Sequence, residues 1–190
     1  MIANNDRESP LNTLQSLPDP TVLARAAAKV KRHVLPLFVV MFIVNYIDRV
    51  NIGFVRSHLE TDLGIGAAAY GLGAGLFFVG YAIFEVPSNL LLQRYGARAW
   101  LTRIMFTWGA AAMAMAFVRG ETSFYVLRFI LGAAEAGFFP GIIYYFTQWL
   151  PSTERGKAMA IFLSGSAIAS VISGPVSGAL LNVSGFSLHG

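Results

Sequence analysis

The chain has 190 residues, of which 55% are hydrophobic and only 13% are charged. Soluble domains of ordinary composition carry about 25% charged residues, so this composition excludes that class and favours a membrane protein. The absence of cysteine excludes disulfides and thiolate chemistry. The net charge of +4 comes from the first 33 residues and from short loops, so it indicates membrane topology and predicts no nucleic-acid partner.

Runs of about 20 apolar residues predict membrane-spanning helices, because lipid offers the backbone no other hydrogen-bond partner. Residues 1–33 are polar and are expected to form a cytoplasmic tail. The apolar run that follows begins too late for a cleaved signal peptide, so we expect it to be retained. The predicted fold is an all-α membrane protein with five spans. They lie at about 34–56, 70–92, 99–118, 123–149 and 158–182.

Charged residues in the short connections suggest an orientation. The tail and the second and fourth connections carry basic residues, among them Arg94, Arg98, Arg155 and Lys157. The first connection carries the acidic residues Glu60 and Asp62. In the third connection the positive charge of Arg119 is balanced by Glu121. The positive-inside rule then predicts a multi-pass protein of the inner membrane with its amino terminus in the cytoplasm.

Small residues and prolines predict where helices pack and bend. Small residues at four-residue spacing let membrane helices approach closely. They are Gly71 with Gly75, Gly137 with Gly141, and the row Ser166, Ser170, Gly174 and Gly178. Kinks or local unwinding are expected near the prolines of the spans, which are Pro87, Pro140 and Pro175.

Ionisable residues inside the predicted spans are the clearest sign of function. Asp48 and Arg49 lie in the first span, and Arg128 and Glu135 lie in the fourth. A charge at the centre of a membrane helix costs about 2.5–3.5 kcal/mol even on lenient scales. Such residues persist where they pair, face a wet cavity or act in transport. We expect these four side chains to line one cavity.

The chemistry of these four residues favours proton coupling. Burial disfavours the charged form of a carboxylate, so Asp48 and Glu135 suit proton acceptors, with Arg49 and Arg128 as cations that tune them. The alternative is that Asp48–Arg49 and Arg128–Glu135 are buried ion pairs that only fix helix packing.

Substrate binding is predicted for a second set of polar residues. The planar guanidinium of Arg49 suits bidentate binding of a carboxylate. Tyr46 and Tyr81 could supply hydroxyl donors, and Asn45 shares a helix face with Arg49 at i, i+4 spacing. The predicted partners are therefore a small organic anion, protons and membrane lipid.

No set of residues indicates an enzyme, a metal site or another cofactor. The histidines are scattered over a tail, a loop and the carboxyl terminus, as His33, His58 and His189. Their spacing does not resemble that of a metal site. No nucleophile–base pair is visible either, so the prediction is that the chain is not an enzyme and uses no cofactor.

Four stretches of the sequence follow the pattern of a known transporter family. They are NYIDRVNIGF at 45–54, GYAIFEVPSNLLLQRYGAR at 80–98, RFILGAAEAGFFPG at 128–141 and WLPSTERGK at 149–157. In this order they resemble the amino-terminal half of major facilitator superfamily transporters, in particular the anion:cation symporter branch, which imports organic anions with protons. The resemblance implies the same roles for Tyr46, Asp48, Arg49, Tyr81, Arg128 and Glu135.

The resemblance also implies a gating loop between the second and third spans. Segment 89–98 falls where the superfamily has the loop Gly-x-x-x-Asp-Arg-x-Gly-Arg. Arg94, Gly96 and Arg98 match this loop, whereas Asn89 and Gln93 replace its glycine and aspartate. The replaced aspartate is the residue on which the family's latch between its two domains depends.

The family pattern implies two six-helix halves with substrate between them, so residues 34–190 would form an incomplete amino-terminal domain with five of six helices. The leading interpretation is the amino-terminal portion of a proton-coupled importer of organic anions. The missing helices would be lost by truncation or supplied by another chain. Two alternatives stay open. An efflux antiporter would fit Gly174, Pro175 and Gly178, which resemble an antiporter motif, and a non-transporting truncated membrane protein would fit the short length.

Overall fold

A computed structural model describes residues 20–54 and 56–187, and within them each regular element is a helix. The predicted all-α class is therefore confirmed. The α-helices are α1 (Pro20–Lys29), α2 (Leu35–Phe54), α3 (Arg56–Leu63), α4 (Ala67–Tyr95), α5 (Ala97–Ala114), α6 (Glu121–Glu135), α7 (Phe138–Trp149) and α8 (Ser152–Ser187). A π-helical segment, Val30–Val34, joins α1 to α2, and a 3-10 turn, Met115–Phe117, follows α5.

Four helical segments of the described chain are long and apolar enough to cross a membrane. They are Ala24–Gly53, Ala67–Tyr95, Glu121–Trp149 and Ser152–Val176. They coincide with the first, second, fourth and fifth predicted spans. The third predicted span coincides with α5, which has 18 residues and carries Arg98 and Arg103. Those two arginines lower its hydropathy, although α5 still packs against α6 and α7 within the bundle.

The boundaries of the first span differ from the prediction at both ends. Residues 20–33 were expected in a tail but are helical and run into α2, because their alanine-rich sequence favours helix. At the other end α2 stops at Phe54, and Arg56 begins α3. The first connection therefore contains an arginine, whose guanidinium lies 5.6 Å from the centre of the Tyr70 ring. Residues 1–19 of the predicted tail, and His189, lie outside the described residues.

Helices α4 and α6 form the most extensive helix pair, and glycines set their separation. A Cβ atom added to Gly132 would overlap the carbonyl oxygen of Phe77, and one added to Gly80 would overlap that of Phe129. The two backbones are thus in direct contact, which is the arrangement that small residues allow in membrane helices.

The packing seam predicted at Gly71 and Gly75 is wrong. A Cβ atom at either position would meet no atom of the described residues within 4 Å. The buried face of α4 instead follows Ala69, Gly73 and Phe77. Positions 71 and 75 lie on another side of the helix, because residues two apart in an α-helix do not share a face.

Helices α2 and α8 form the second extensive pair. Here a Cβ atom at Gly165 would approach Phe42 at 3.2 Å. The row predicted along α8 does not provide this contact, since Gly174 and Gly178 have open space where a Cβ atom would lie. The expectation for Gly141 is confirmed, because a Cβ atom there would lie 2.6 Å from the side chain of Leu92.

The fourth predicted span is broken between α6 and α7. Pro140 has no N–H group, so the carbonyl of Ala136, four residues earlier, lacks its helical donor. The hydroxyl of Ser88 on α4 donates to that carbonyl at 2.7 Å. Gly137 takes a φ of 86°, which is accessible to glycine without strain. The local unwinding expected near Pro140 is confirmed, while α4 and α8 continue through Pro87 and Pro175.

The bundle has two chemically different ends. One, called here the basic end, carries Lys31, Arg94, Arg98 and Arg155 and is closed by a large apolar cluster around Phe38, Ile104, Phe146 and Phe162. The opposite end carries α3 and a smaller cluster of Leu59, Ile65, Ala69, Val118 and Phe124. Between them lies a third cluster of Phe77, Trp108, Ala111 and Leu131. Asp48, Arg49 and Arg128 contact side chains of this middle cluster.

Candidate functional site

An ion pair between α2 and α6 forms the centre of the candidate site. Arg49 Nε donates to Glu135 Oε1 at 2.7 Å, and Arg49 Nη2 donates to the same oxygen. Glu135 is 1% exposed and is the last residue of α6, where the negative end of the helix dipole disfavours an anion. A buried carboxylate in this position requires a cation, and Arg49 supplies it.

Asp48 and Arg49 are adjacent in sequence but contact different helices. Asp48 Oδ2 accepts a hydrogen bond from Trp108 Nε1 on α5 at 3.3 Å, whereas Arg49 reaches α6. Consecutive helical residues point about 100° apart, which explains the divergence. The ion pair thus joins Arg49 to Glu135, and neither Asp48–Arg49 nor Arg128–Glu135 is a salt bridge among the described residues.

Arg128 is buried, and no acidic side chain of the described residues forms a salt bridge with it. Arg128 is 5% exposed. Its Nε atom has no hydrogen-bond partner within the described part of the chain. Its guanidinium lies 4.7 Å from the centre of the Phe77 ring. The guanidinium of Arg49 lies 5.3 Å from the same ring. Phe77 therefore stands between the two cations, where cation–π attraction stabilises both.

The expectation that all four charged residues line one cavity is wrong. A first cavity of about 310 Å³, called here the Arg49 cavity, is lined by Asn45, Tyr46, Arg49 and Tyr81 with four phenylalanines, Phe42, Phe78, Phe138 and Phe139. A second cavity of about 350 Å³, called here the Asp48 cavity, is lined by Asp48 and Arg128 with Asn51 and apolar residues. Asp48 and Arg49, although adjacent in sequence, therefore line different cavities.

The residues predicted for substrate binding all face the Arg49 cavity. The Arg49 guanidinium lies 5.2 Å from the centre of the Tyr81 ring. Asn45 is 4% exposed, and its Nδ2 atom is buried without a hydrogen-bond partner in the described residues. Glu135 Oε2 is likewise buried without a hydrogen-bond partner in the described residues. The site thus combines a cation, aromatic walls and buried polar groups.

The predicted gating loop lies at the basic end, away from this pair. Gly96 takes a φ of 86° between α4 and α5, and its N–H donates to the Leu92 carbonyl at 2.9 Å. The Arg94 guanidinium lies 5.9 Å from the centre of the Tyr95 ring. Arg98 lines a separate cavity of about 800 Å³. The structure therefore does not bring Arg94, Gly96 and Arg98 into contact with the Arg49–Glu135 pair.

Sequence reasoning missed two residues that touch the charged groups. Phe77 contacts both arginines, but one phenylalanine in an apolar span carries no distinguishing signal. Trp108 donates to Asp48, and here a signal existed, because an indole N–H in the middle of a span needs an acceptor.

Comparison with known proteins identifies close relatives. A family model described as Major Facilitator Superfamily matches residues 38–188. A protein of Acinetobacter baumannii named "Quinolone resistance transporter" is 57% identical over 157 residues, which are 82% of this chain and 36% of that protein. A protein of Agrobacterium vitis provisionally named a tartrate transporter is 49% identical over 162 residues, 85% of this chain and 37% of its own length.

A third relative is the protein of Escherichia coli (strain K12) named "Inner membrane transport protein RhmT". It is 42% identical over 170 residues, which are 89% of this chain and 40% of that protein. The chain therefore spans 36% to 40% of the length of these three relatives.

Proposed function

The chain belongs to the Major Facilitator Superfamily, and on this premise we propose that it forms part of a secondary transporter that carries a small organic anion together with protons. The observation that carries the proposal is the Arg49–Glu135 pair beside the Arg49 cavity. A cation held by a buried carboxylate can exchange that partner for the carboxylate of a substrate. When Glu135 takes up a proton, Arg49 is released to bind the anion.

The Arg49 cavity has a composition that suits an organic anion. Arg49 offers charge-assisted hydrogen bonds, and Tyr46, Tyr81 and Asn45 offer polar groups around it. The phenylalanine side chains that complete the wall exclude water and strengthen these interactions. We propose that the remaining wall comes from further transmembrane helices, either of a longer form of this chain or of another chain.

The Asp48 cavity suits a role in proton transfer. Among the described residues, Asp48 receives one long hydrogen bond, from Trp108, and the cavity it lines also contains Arg128. An ionisable residue at membrane depth with no tight partner is a functional candidate. We propose that Asp48 and Glu135 take up and release the coupled protons, and that Arg128 assists the release.

The location proposed for the protein is the inner membrane, with the basic end in the cytoplasm. The support is the concentration of Lys31, Arg94, Arg98 and Arg155 at that end, which the positive-inside rule assigns to the cytoplasmic side. The name of the Escherichia coli relative agrees with this location. The gating role of Arg94, Gly96 and Arg98 belongs to the same proposal, because they occupy the cytoplasmic loop of the family pattern.

A second candidate function is drug or metabolite efflux by proton antiport. It is favoured by the relative named for quinolone resistance, which is 57% identical over the matched residues. The two functions predict opposite signs of pH-driven flux. Vesicles with an acidic exterior should accumulate the anion if the protein is a symporter, whereas an antiporter would expel substrate under the same gradient.

Replacing Asp48 tests proton coupling. In the assembled transporter, Asp48→Asn should abolish uphill uptake driven by a proton gradient, because an amide cannot titrate, while exchange of labelled for unlabelled substrate continues. The measurement is accumulation of radiolabelled organic anion in proteoliposomes with and without an imposed pH gradient. The exposed Glu60→Gln is the matched control and should behave like the unmodified protein. Full pH-driven accumulation by Asp48→Asn would remove Asp48 from the mechanism.

A further inference from the structure

A chain of hydrogen bonds outside the site connects the end of α6 to the basic end of the bundle. Trp100 Nε1 donates to Ser88 Oγ at 3.0 Å, and Ser88 Oγ donates to the Ala136 carbonyl at 2.7 Å. Ala136 directly follows Glu135 in sequence. Ser88 is 5% exposed, so its hydrogen bonds are shielded from water. We call the hydrogen bond from Ser88 Oγ to the Ala136 carbonyl the α4 tether.

The tether replaces a helical hydrogen bond that the sequence removes. In a continuous helix the Ala136 carbonyl would accept from residue 140, but Pro140 has no N–H. Gly137 lies so close to Ser88 that an added Cβ atom would overlap Ser88 Oγ. The backbone immediately after Glu135 is therefore held by a side chain of α4 instead of by its own helix.

Trp100 connects this tether to the gating loop. Its ring stacks on Tyr95 with centroids 5.8 Å apart and planes 11° apart. The guanidinium of Arg103 lies 4.3 Å from the centre of the Trp100 ring. Tyr95 is the last residue of α4 and directly precedes Gly96, where the backbone turns into α5. Trp100 therefore links Ser88 on α4 to Tyr95, which lies in the loop at residues 94–98.

We propose that Ser88 and Trp100 are positioning residues that couple the Arg49–Glu135 pair to the conformation of the gating loop. Loss of the pair relaxes the end of α6 and moves the Ala136 carbonyl. Ser88 follows this carbonyl, Trp100 follows Ser88, and the loop at 94–98 responds. The inference rests on the proposed function for its role in transport, but the mechanical link can be tested without any substrate.

Fluorine NMR of the protein labelled with 5-fluorotryptophan tests the link directly. The chain has three tryptophans, so each signal can be assigned from single Trp→Phe variants. Glu135→Gln should shift the Trp100 signal by more than its line width, because it weakens the ion pair. Ser88→Ala should abolish that response, so the Trp100 signal of the double variant should coincide with that of Ser88→Ala alone.

Two controls separate coupling from general disturbance. Ser123→Ala removes a hydroxyl that bonds locally to the Gly120 carbonyl at 2.8 Å, at the far end of α6, and should leave the Trp100 response intact. The exposed Trp149 should show no response to Glu135→Gln in any background. If Ser88→Ala fails to fold, Ser88→Cys keeps the size and a weaker donor and should reduce the response.

The proposal is overturned if Glu135→Gln leaves the Trp100 signal unchanged, or if Trp100 still responds with Ser88 replaced by alanine. Neither result would bear on proton coupling, which the Asp48→Asn experiment tests separately. In proteoliposomes, Ser88→Ala should lower pH-driven accumulation several-fold while exchange of labelled substrate continues. A merely structural role of Ser88 would lower both activities together.

Discussion

Arg49 directs two of its nitrogen atoms to a single oxygen of Glu135, and the other oxygen of that carboxylate stays without a hydrogen bond in the described residues. Removing one partner of a buried ion pair costs more than the pair itself contributes, because the remaining charge stays desolvated. The pair therefore holds α2 against α6 only while Glu135 is ionised. Under the proposed function, the same dependence makes the pair an element of a proton-operated switch.

Arg49→Lys distinguishes anion recognition from simple charge balance. Lysine keeps the charge but loses the fork that binds a carboxylate through two parallel bonds. Loss of one charge-assisted hydrogen bond costs about 1.5–3 kcal/mol, or about a tenfold to hundredfold rise in Kd. The measurement is substrate Kd by equilibrium binding, with Arg119→Lys as the exposed control. An unchanged Kd in a folded Arg49→Lys protein would leave Arg49 a structural counter-ion.

Glu135→Gln tests whether the proton-dependent release of Arg49 controls binding. Glutamine resembles the protonated carboxyl in shape and cannot ionise, so Arg49 should be available to the anion at every pH. We expect tighter anion binding at neutral pH than in the unmodified protein and a weaker variation of Kd between about pH 5 and 8, with Asp48 as the remaining carboxyl that can take up a proton. The exposed Glu121→Gln should retain the pH dependence of the unmodified protein. A strongly pH-dependent Kd in Glu135→Gln would contradict this role.

At the level of elements, the close contact of α4 and α6 places the charged residues. Gly132 lies one turn before Glu135, and its missing side chain lets the Phe77 backbone approach. That approach brings the Phe77 ring within cation–π distance of both Arg49 and Arg128. The same glycine therefore determines the helix spacing and the surroundings of the site.

Alanine at Gly132 should weaken the fold, whereas alanine at Gly75 should not. Overpacking a tight contact typically costs about 1–3 kcal/mol, and here the obstacle is backbone, which cannot rotate away. Gly75 has open space around it, so Gly75→Ala should be neutral or stabilise by up to about 1 kcal/mol through helix propensity. Both free energies of unfolding can be measured by denaturant titration in detergent micelles. Equal stability of the two variants would contradict the close α4–α6 packing.

At the level of the whole molecule, the distribution of charge determines how the bundle is expected to sit in the membrane. Lys31 and Glu154 form a salt bridge of 2.8 Å at the basic end. Beside it, Arg155 donates to the carbonyls of Leu150 and Thr147 at 2.9 and 2.7 Å. These contacts join the π-helical segment before α2 to α8, and α8 to the end of α7, so the residues of the basic end are connected to one another.

Reporter fusions test the proposed orientation. Alkaline phosphatase is active only outside the cytoplasm, so a fusion after Gly120 at the opposite end should be active. A fusion after Gly96 at the basic end should be inactive, and fluorescent-protein fusions at the two sites should show the reverse pattern. Enzyme activity at Gly96 together with none at Gly120 would mean that the amino terminus lies outside.

Much of the fold could be predicted because hydropathy is a property of the local sequence. The lengths of the apolar runs anticipated the long helices, and Pro140 anticipated the break after Glu135. The errors concern which face of a helix packs against its neighbours. Gly71 and Gly75 have the same spacing as glycines that do pack, and only contact with α6 selects Gly73 and Gly80 instead.

The sequence by itself determined the all-helical membrane class and the identity of the charged residues in the spans, because a buried charge is costly and therefore conspicuous. Only the tertiary structure decided that Arg49 pairs with Glu135, 86 residues away, and that Asp48 faces a different cavity. Ion pairing depends on which helix faces come together. Likewise, the Phe77 ring reaches both arginines because backbone contacts at Gly80 and Gly132 bring α4 against α6, and this effect appears only when the two helices are packed.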